Sequence, residues 1–413
     1  MKRRVAVLHH ARSFFPLDLR EAIVGGVELI WVLPNGPSDA EVNPRLLRRL
    51  GTVVDIAGME LDDAARELGR HGPDGIITFV DDHLLMAAAL AARLGLCYHT
   101  PDVAAVIVDK RCQREALERA GIPGPRYWPV PADITPAELD QLAERVRYPS
   151  VLKHARGSGS RDMHRVGTPQ DLRELLGARA PAGAIDRVLE EYLPDDLDHD
   201  PRFASYVSVE SVVSSGRASH VAVTGRFPLA DPFRETGNFI PGILAVGMRG
   251  PVLGMVGDAI EALGIRTAVV HTEVKLTPEG PRLIEVNGRL GARPPFILQG
   301  ISKVNLFLEA CLLAVGLSSG VVGPVECSGV GFWFMIQPPV SARRVRAIDG
   351  LNHLAEVAGI DTVRISRRPG ESVDWRDGTD GHVLTIRGRV QDHDALAGTI
   401  ESIRHTVQLD YEE

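Results

Sequence analysis

The chain lacks the marks of an oxidised, disulfide-stapled protein. Its 413 residues hold four scattered cysteines, Cys97, Cys112, Cys311 and Cys327, and no C-x-x-C pair. Isolated thiols in a chain this long fit a reducing cytosol better than a disulfide framework. Positive charge is short as well. Against 54 Asp and Glu stand 46 Lys and Arg, a formal net charge of −8 that gives no hint of nucleic-acid binding. The basic clusters "RLLRRL" (45–50) and "RISRRPG" (364–370) are brief and read as solvated faces. No stretch approaches the ~20 apolar residues of a membrane span. At the basic start, His9 and His10 break the apolar run too early for a signal-peptide core, so a cytoplasmic location is expected. Nucleotide fingerprints are missing too. The turn after the first apolar run is "HHARSFF", with no G-x-G-x-x-G, and no Walker G-x-x-x-x-G-K-[ST] occurs.

What is present is an ordinary globular composition, 44% hydrophobic and 24% charged, at a length that suits two or three domains. Four apolar runs, 3–9, 27–34, 52–57 and 75–81, read as strands, with helical patterns at 61–72 and 84–96. That alternation predicts a parallel sheet flanked by helices, ending near residue 105. Asp81 and Asp82 close the fourth run, where open parallel sheets bind ligands; capping of the following helix is the favoured reading. Downstream, 109–121 reads as a helix and 148–166 as strand, Gly/Ser loop, strand. Residues 206–227 form a strand pair turning at Ser-Gly, 251–265 a helix, and 268–290 a hairpin turning at Pro278-Glu279-Gly280. The tail from about 325 reads as a small α+β unit with little catalytic signal.

The chemistry concentrates in "RLIEVNGRLGARPP" (282–295). Alternate strand residues share a face, so Glu285, Asn287 and Arg289 point the same way. The neighbouring strand carries Glu273, and antiparallel pairing can bring the two carboxylates to one cation. Two carboxylates and an amide oxygen are hard ligands of the kind Mg²⁺ takes together with phosphates. Arg289, one step further, suits a transferring phosphoryl group. For the hairpin alone, a surface salt-bridge ladder is the simpler reading. The loop "KHARGSGS" adds Lys153 at a strand end, then Gly157, Ser158, Gly159 and Ser160, a pattern suited to close backbone approach to phosphate. With Lys110 in "DK" and "EEYL" at 190–193, the order of motifs becomes specific.

In that order and spacing the chain resembles the ATP-grasp ligases, and among them the carboxylate–amine ligases. The resemblance covers roughly residues 1 to 320, and the tail looks like the small C-terminal domain of L-amino-acid ligases. It implies an N-terminal open parallel α/β domain (1–105), a central ATP-grasp fold of two α+β subdomains (106–320) and a small C-terminal α+β domain (321–413). It implies ATP as nucleotide and Mg²⁺, with Mn²⁺ as an alternative. Lys110 and Lys153 match phosphate contacts, Ser158, Gly159 and Ser160 the lid, and Glu191, Tyr192 and Leu193 the adenine hinge. Glu273, Glu285 and Asn287 match the metal ligands, and Arg289 the arginine that steadies an acyl phosphate, which makes Arg289 and Lys153 the expected catalytic pair. "FRETGNFIP" (233–241) resembles the family's E-x-G-H-x-x-P segment, with Glu235 on a substrate amine.

Three departures from the pattern matter. The ribose carboxylate falls in an elongated acidic loop, where Asp198 is the candidate. Asn238 replaces the His of E-x-G-H and removes a proton acceptor. "GARPP" replaces G-G-D and puts Arg293 near the substrate pocket, either to meet an acidic substrate group or to pair with a protein carboxylate such as one from 195–200. The resemblance implies an ADP-forming ligase that joins a small acid to an amine, with small-molecule substrates, no nucleic acid and no membrane partner. A homodimer is one assembly it allows. Two alternatives remain. One is a nucleotide-pathway or biotin-carboxylase-like enzyme, although the chain carries no Met-Lys-Met. The other is a catalytically silent ATP-binding regulator, which would be expected to lose the metal and phosphate residues that are present here.

Overall fold

Residues 2–10, 12–23, 26–36, 44–177, 185–196, 198–317 and 320–413 are described by the structure, a computed structural model; Leu197 of the acidic loop falls outside them. Its first sheet grows from continuous apolar runs. Strands β1 (Arg3–Leu8), β2 (Val27–Leu33), β3 (Thr52–Asp55) and β4 (Gly75–Thr78) pair in parallel in the order β3-β2-β1-β4. Val5 to Leu8 are fully buried, as parallel strands covered on both faces require. The carboxyl end of β4 leads to Asp81 at the rim of the site.

A second, antiparallel sheet holds the order β5-β8-β6-β7, from β5 (Tyr127–Val130), β6 (Ser150–His154), β7 (His164–Val166) and β8 (Arg187–Glu191). The Gly/Ser loop connects β6 to β7, as the sequence pattern predicts.

The third sheet has eight strands. Strands β9 (Tyr206–Ser214) and β10 (Arg217–Arg226) turn through Ser215 and Gly216, both at positive φ. Strands β11 (Gly237–Ile240), β12 (Ala268–Thr277), β13 (Gly280–Asn287) and β14 (Val330–Ile336) follow. After β15 (Arg344–Asp349) come β16 (Ile360–Ile365), β17 (Leu384–Val390) and β18 (Gln408–Glu412). The sheet order is β13-β12-β9-β10-β11-β14-β17-β16, and β15 pairs with β18 apart. Strands of the tail therefore continue the sheet that carries the Glu273/Glu285 hairpin. That continuity brings the segment after β16 back to the site.

Strand β9 is buried along nearly its whole length, including Ser208, Glu210 and Ser211. Such polar groups are stable there only with partners, and Glu210 has several, described below. Among the described residues no single helix is long and apolar enough to cross a membrane.

Candidate active site

One cavity of about 760 Å³ lies where the three larger sheets meet. Its floor is the β12–β13 hairpin. Glu273 is directly opposite Glu285 in the antiparallel register, and a bulge follows between Glu273 and Val274. The alternation read from the sequence thus holds: Glu273, Glu285, Asn287 and Arg289 all line the same cavity.

Each of these groups is engaged. Lys110, at the start of the helix Lys110–Arg119, reaches Glu285 Oε1 at 2.8 Å and donates to Gly157 O at 2.6 Å. Burial works against its charge, yet Glu285, Asp81 and Glu190 together hold its pKa above the usual lysine value. Burial likewise opposes ionisation of Glu273, but a hydrogen bond from His271 and the charges of Arg226 and Arg289 bring its pKa to about 2. The set offers only oxygen donors, one of them firmly ionised, and fits a hard divalent cation that also takes phosphate oxygens. Among the described residues no three His, Cys, Asp or Glu side chains gather as an all-protein metal site.

Lys153, on β6, is buried and lies 2.7 Å from Glu190 Oε2. Arg114 grips the same carboxylate with two bonds, at 2.8 and 3.1 Å. Burial would raise the Glu190 pKa, and the two cations override it, down to about 2. Burial lowers the Lys153 pKa, and Glu190 only partly restores it because Arg114 shares the anion. The first Glu of "EEYL" is thus the buried anchor. The expected hinge residues Glu191, Tyr192 and Leu193 line the cavity beside it, with Arg165 stacked 5.1 Å over the Tyr192 ring. Ser158, Gly159 and Ser160 line the same cavity.

Three expectations need correction. Asp81 caps no helix: it pairs with Arg289 at 2.6 Å, and neither helical start nearby has a side-chain cap. The carboxylate instead fixes the guanidinium that reaches back 3.3 Å to Asn287 Oδ1. Asp198 is exposed and lies outside the cavity lining, whereas Asp195, Asp196 and His199 of the same loop belong to it. Arg293 does pair with a protein carboxylate, but its partner is Glu235, at 3.0 Å, and not the 195–200 loop.

The part of the cavity around Glu235 holds what the sequence did not reveal. Arg226, only 2% exposed, binds the other oxygen of Glu235 at 3.0 Å and approaches Glu273 at 3.7 Å. His271 sets Nδ1 2.9 and 3.0 Å from the two oxygens of fully buried Glu210. An ionised carboxylate only accepts, so that nitrogen carries the hydrogen. Burial opposes the charged imidazole, and Glu210 outweighs it, so the His271 pKa is pushed up to about 9. Ser208 and Thr224 each donate to Glu210 Oε1 at 3.0 Å. Asn238, 1% exposed, lines the cavity, and its amide nitrogen and oxygen are both buried without a hydrogen-bond partner. A ligand at this end would complete it. The available signal was the alternation of Ser208 and Glu210 within an apolar strand and an Arg closing "VAVTGR"; neither names its partner.

No protein-family model matches the chain. Among curated relatives, y4rH of Sinorhizobium fredii, itself uncharacterised, is 26% identical over 330 residues, 78% of this chain and 66% of that protein. Mouse carnosine synthase 1 is 30% identical over 268 residues, 59% of this chain but 31% of the synthase. The match thus spans less than two thirds of either relative. The crystal structure of L-amino acid ligase from Bacillus licheniformis superposes with a TM-score of 0.79 at 18% identity, covering 100% of both chains. The chain thus has the fold of the ATP-grasp ligases, and its sequence is similar to that of ligases such as carnosine synthase and alanine–anticapsin ligase.

Proposed function

We propose that this chain is an ADP-forming carboxylate–amine ligase that makes an amide or peptide bond between amino acids or related small acids and amines. The observation that carries the reading is one cavity bounded by the Glu273–Glu285 pair, the buried lysines Lys110 and Lys153, the Gly/Ser loop and the Glu235–Arg293 pair. Nucleotide and substrate groups have distinct ends of that cavity. The name of the mouse relative, a carnosine synthase, and the fold shared with an L-amino acid ligase support the same chemistry.

In this reading Tyr192 and Leu193 meet the base, and Asp195 or Asp196 takes the ribose in place of Asp198. Lys110 and Lys153 neutralise phosphate charge, and the Gly/Ser loop closes on it with backbone donors. Glu273, Glu285 and Asn287 would hold Mg²⁺, or Mn²⁺ in its place, which when bound would shield charge on the phosphate oxygens. A substrate carboxylate oxygen attacks the terminal phosphorus, the bridging bond breaks and ADP leaves. Arg289, held by Asp81, stabilises the charge on the transferred group. The amine then attacks the acyl carbon, the bond from that carbon to the phosphate oxygen breaks, and inorganic phosphate departs with the proton the amine gives up. Activation is required because an amine and a carboxylate in neutral water form a salt rather than an amide.

The protein given ATP, Mg²⁺ and pairs of amino acids tests this. Phosphate release that depends on both members of a pair, with a condensed product by mass spectrometry, is expected. ATP consumption that no acid or amine stimulates counts against it.

A further inference from the structure

The tail contributes to the site, although its sequence carries little catalytic signal. The short helical segment Trp375–Gly381, between β16 and β17, lies against the Gly/Ser loop, and Thr379 and Asp380 line the cavity. Thr379 is 2% exposed and uses every polar group it has. Its backbone N–H donates to Gly159 O at 2.9 Å. Its hydroxyl accepts from Glu235 N at 3.3 Å. Its carbonyl accepts from Gln337 Nε2 at 3.0 Å, and the same amide donates to Glu235 O at 2.8 Å. The loop on one side and the Glu235 segment on the other are thus docked on one residue.

The preceding residue explains how close the docking is. Gly378 has φ +68°, and a Cβ there would sit 2.1 Å from Gly159 O and 2.9 Å from Arg161 N. Backbone meets backbone, so no rotamer change relieves the clash. A side chain at 378 would push the Gly/Ser loop away.

We infer that Thr379 is a positioning residue that ties the seating of the Gly/Ser loop to the placement of Glu235, so that the loop closes over an activated acyl group only when the amine-binding end is set. The inference rests on the ligase reading. Its consequence is coupling. If the link is broken, water reaches the acyl carbon, the bond to phosphate breaks, and carboxylate and phosphate form with no amide.

Thr379→Val keeps the shape and backbone of the residue and removes the hydroxyl, Thr379→Ser restores it, and Gly378→Ala acts from the loop side. For Thr379→Val, amide formed per ADP released should fall by about fivefold or more, the size expected for one lost hydrogen bond. The serine variant should recover most of it. An unchanged ratio in Thr379→Val, or an equal loss in Thr379→Ser, overturns the inference. Hydrogen exchange of the full chain supplies a readout that needs no turnover. Gly378→Ala should speed exchange both at Gly159–Arg161 and at the Glu235 amide, although Glu235 lies beyond the loop it strikes. Faster exchange at the loop alone overturns the coupling even if the wild type proves to have no ligase activity. Absent amide from the wild type with coupled exchange intact would instead reject the ligase reading.

Discussion

Glu235 is held at both oxygens, by Arg293 at 3.0 Å and by Arg226 at 3.0 Å. The two guanidiniums share one carboxylate, and they differ in burial. Arg226 is almost wholly buried and also approaches Glu273, whereas Arg293 stands nearer the open cavity. The two should fail differently when removed.

Arg226→Ala strips a buried cation from two carboxylates and should lower stability by about 3–5 kcal/mol. Denaturant melts measure this. A variant as stable as wild type would show that the network relaxes around the loss.

Arg293→Ala leaves Glu235 with one partner, so the fold should stand and the substrate end should loosen. A lost charged hydrogen bond of roughly 1.5–3 kcal/mol predicts a rise of about 10- to 100-fold in KM for the amine substrate. The KM for ATP should move little. A matching rise in both constants argues against a role at the substrate end.

Glu285→Ala removes the carboxylate proposed to bind metal and the partner of Lys110 together. Turnover should fall by several kcal/mol of transition-state stabilisation, on the order of a thousandfold, with native circular dichroism. Near wild-type activity would return the hairpin to the salt-bridge ladder that its sequence alone allowed.

Glu190 supplies a pH signature. Its pKa falls from an ordinary 4.5 to about 2 on folding, so its ionised form stabilises the fold above pH 4.5. That contribution, about 3 kcal/mol by linkage, drains away as pH drops through 4.5 toward 2. Glu190→Gln should be less stable at pH 7 and flatter across that acid range. Parallel acid-unfolding curves for the two proteins would contradict the assignment.

The floor of the cavity was legible because strand alternation is a local rule: Glu285, Asn287 and Arg289 announce a shared face within five residues, and Glu273 follows from a short hairpin. Lys153 and its loop were readable for the same reason. Asp81 was misread because an acid before a helix looks the same whether it caps or faces a cavity; its partner Arg289 is 208 positions away. Arg226, Glu210 and Thr379 stayed hidden for a related cause. Each is defined by pairings across the eight-stranded sheet or from the tail, and nothing in the sequence near them states those pairings.

The identity of the nucleotide product tests the central claim most directly. With ATP, Mg²⁺ and a productive acid–amine pair, chromatographic quantitation should find one ADP and one inorganic phosphate per amide formed. AMP and pyrophosphate in that stoichiometry would contradict the acyl-phosphate account.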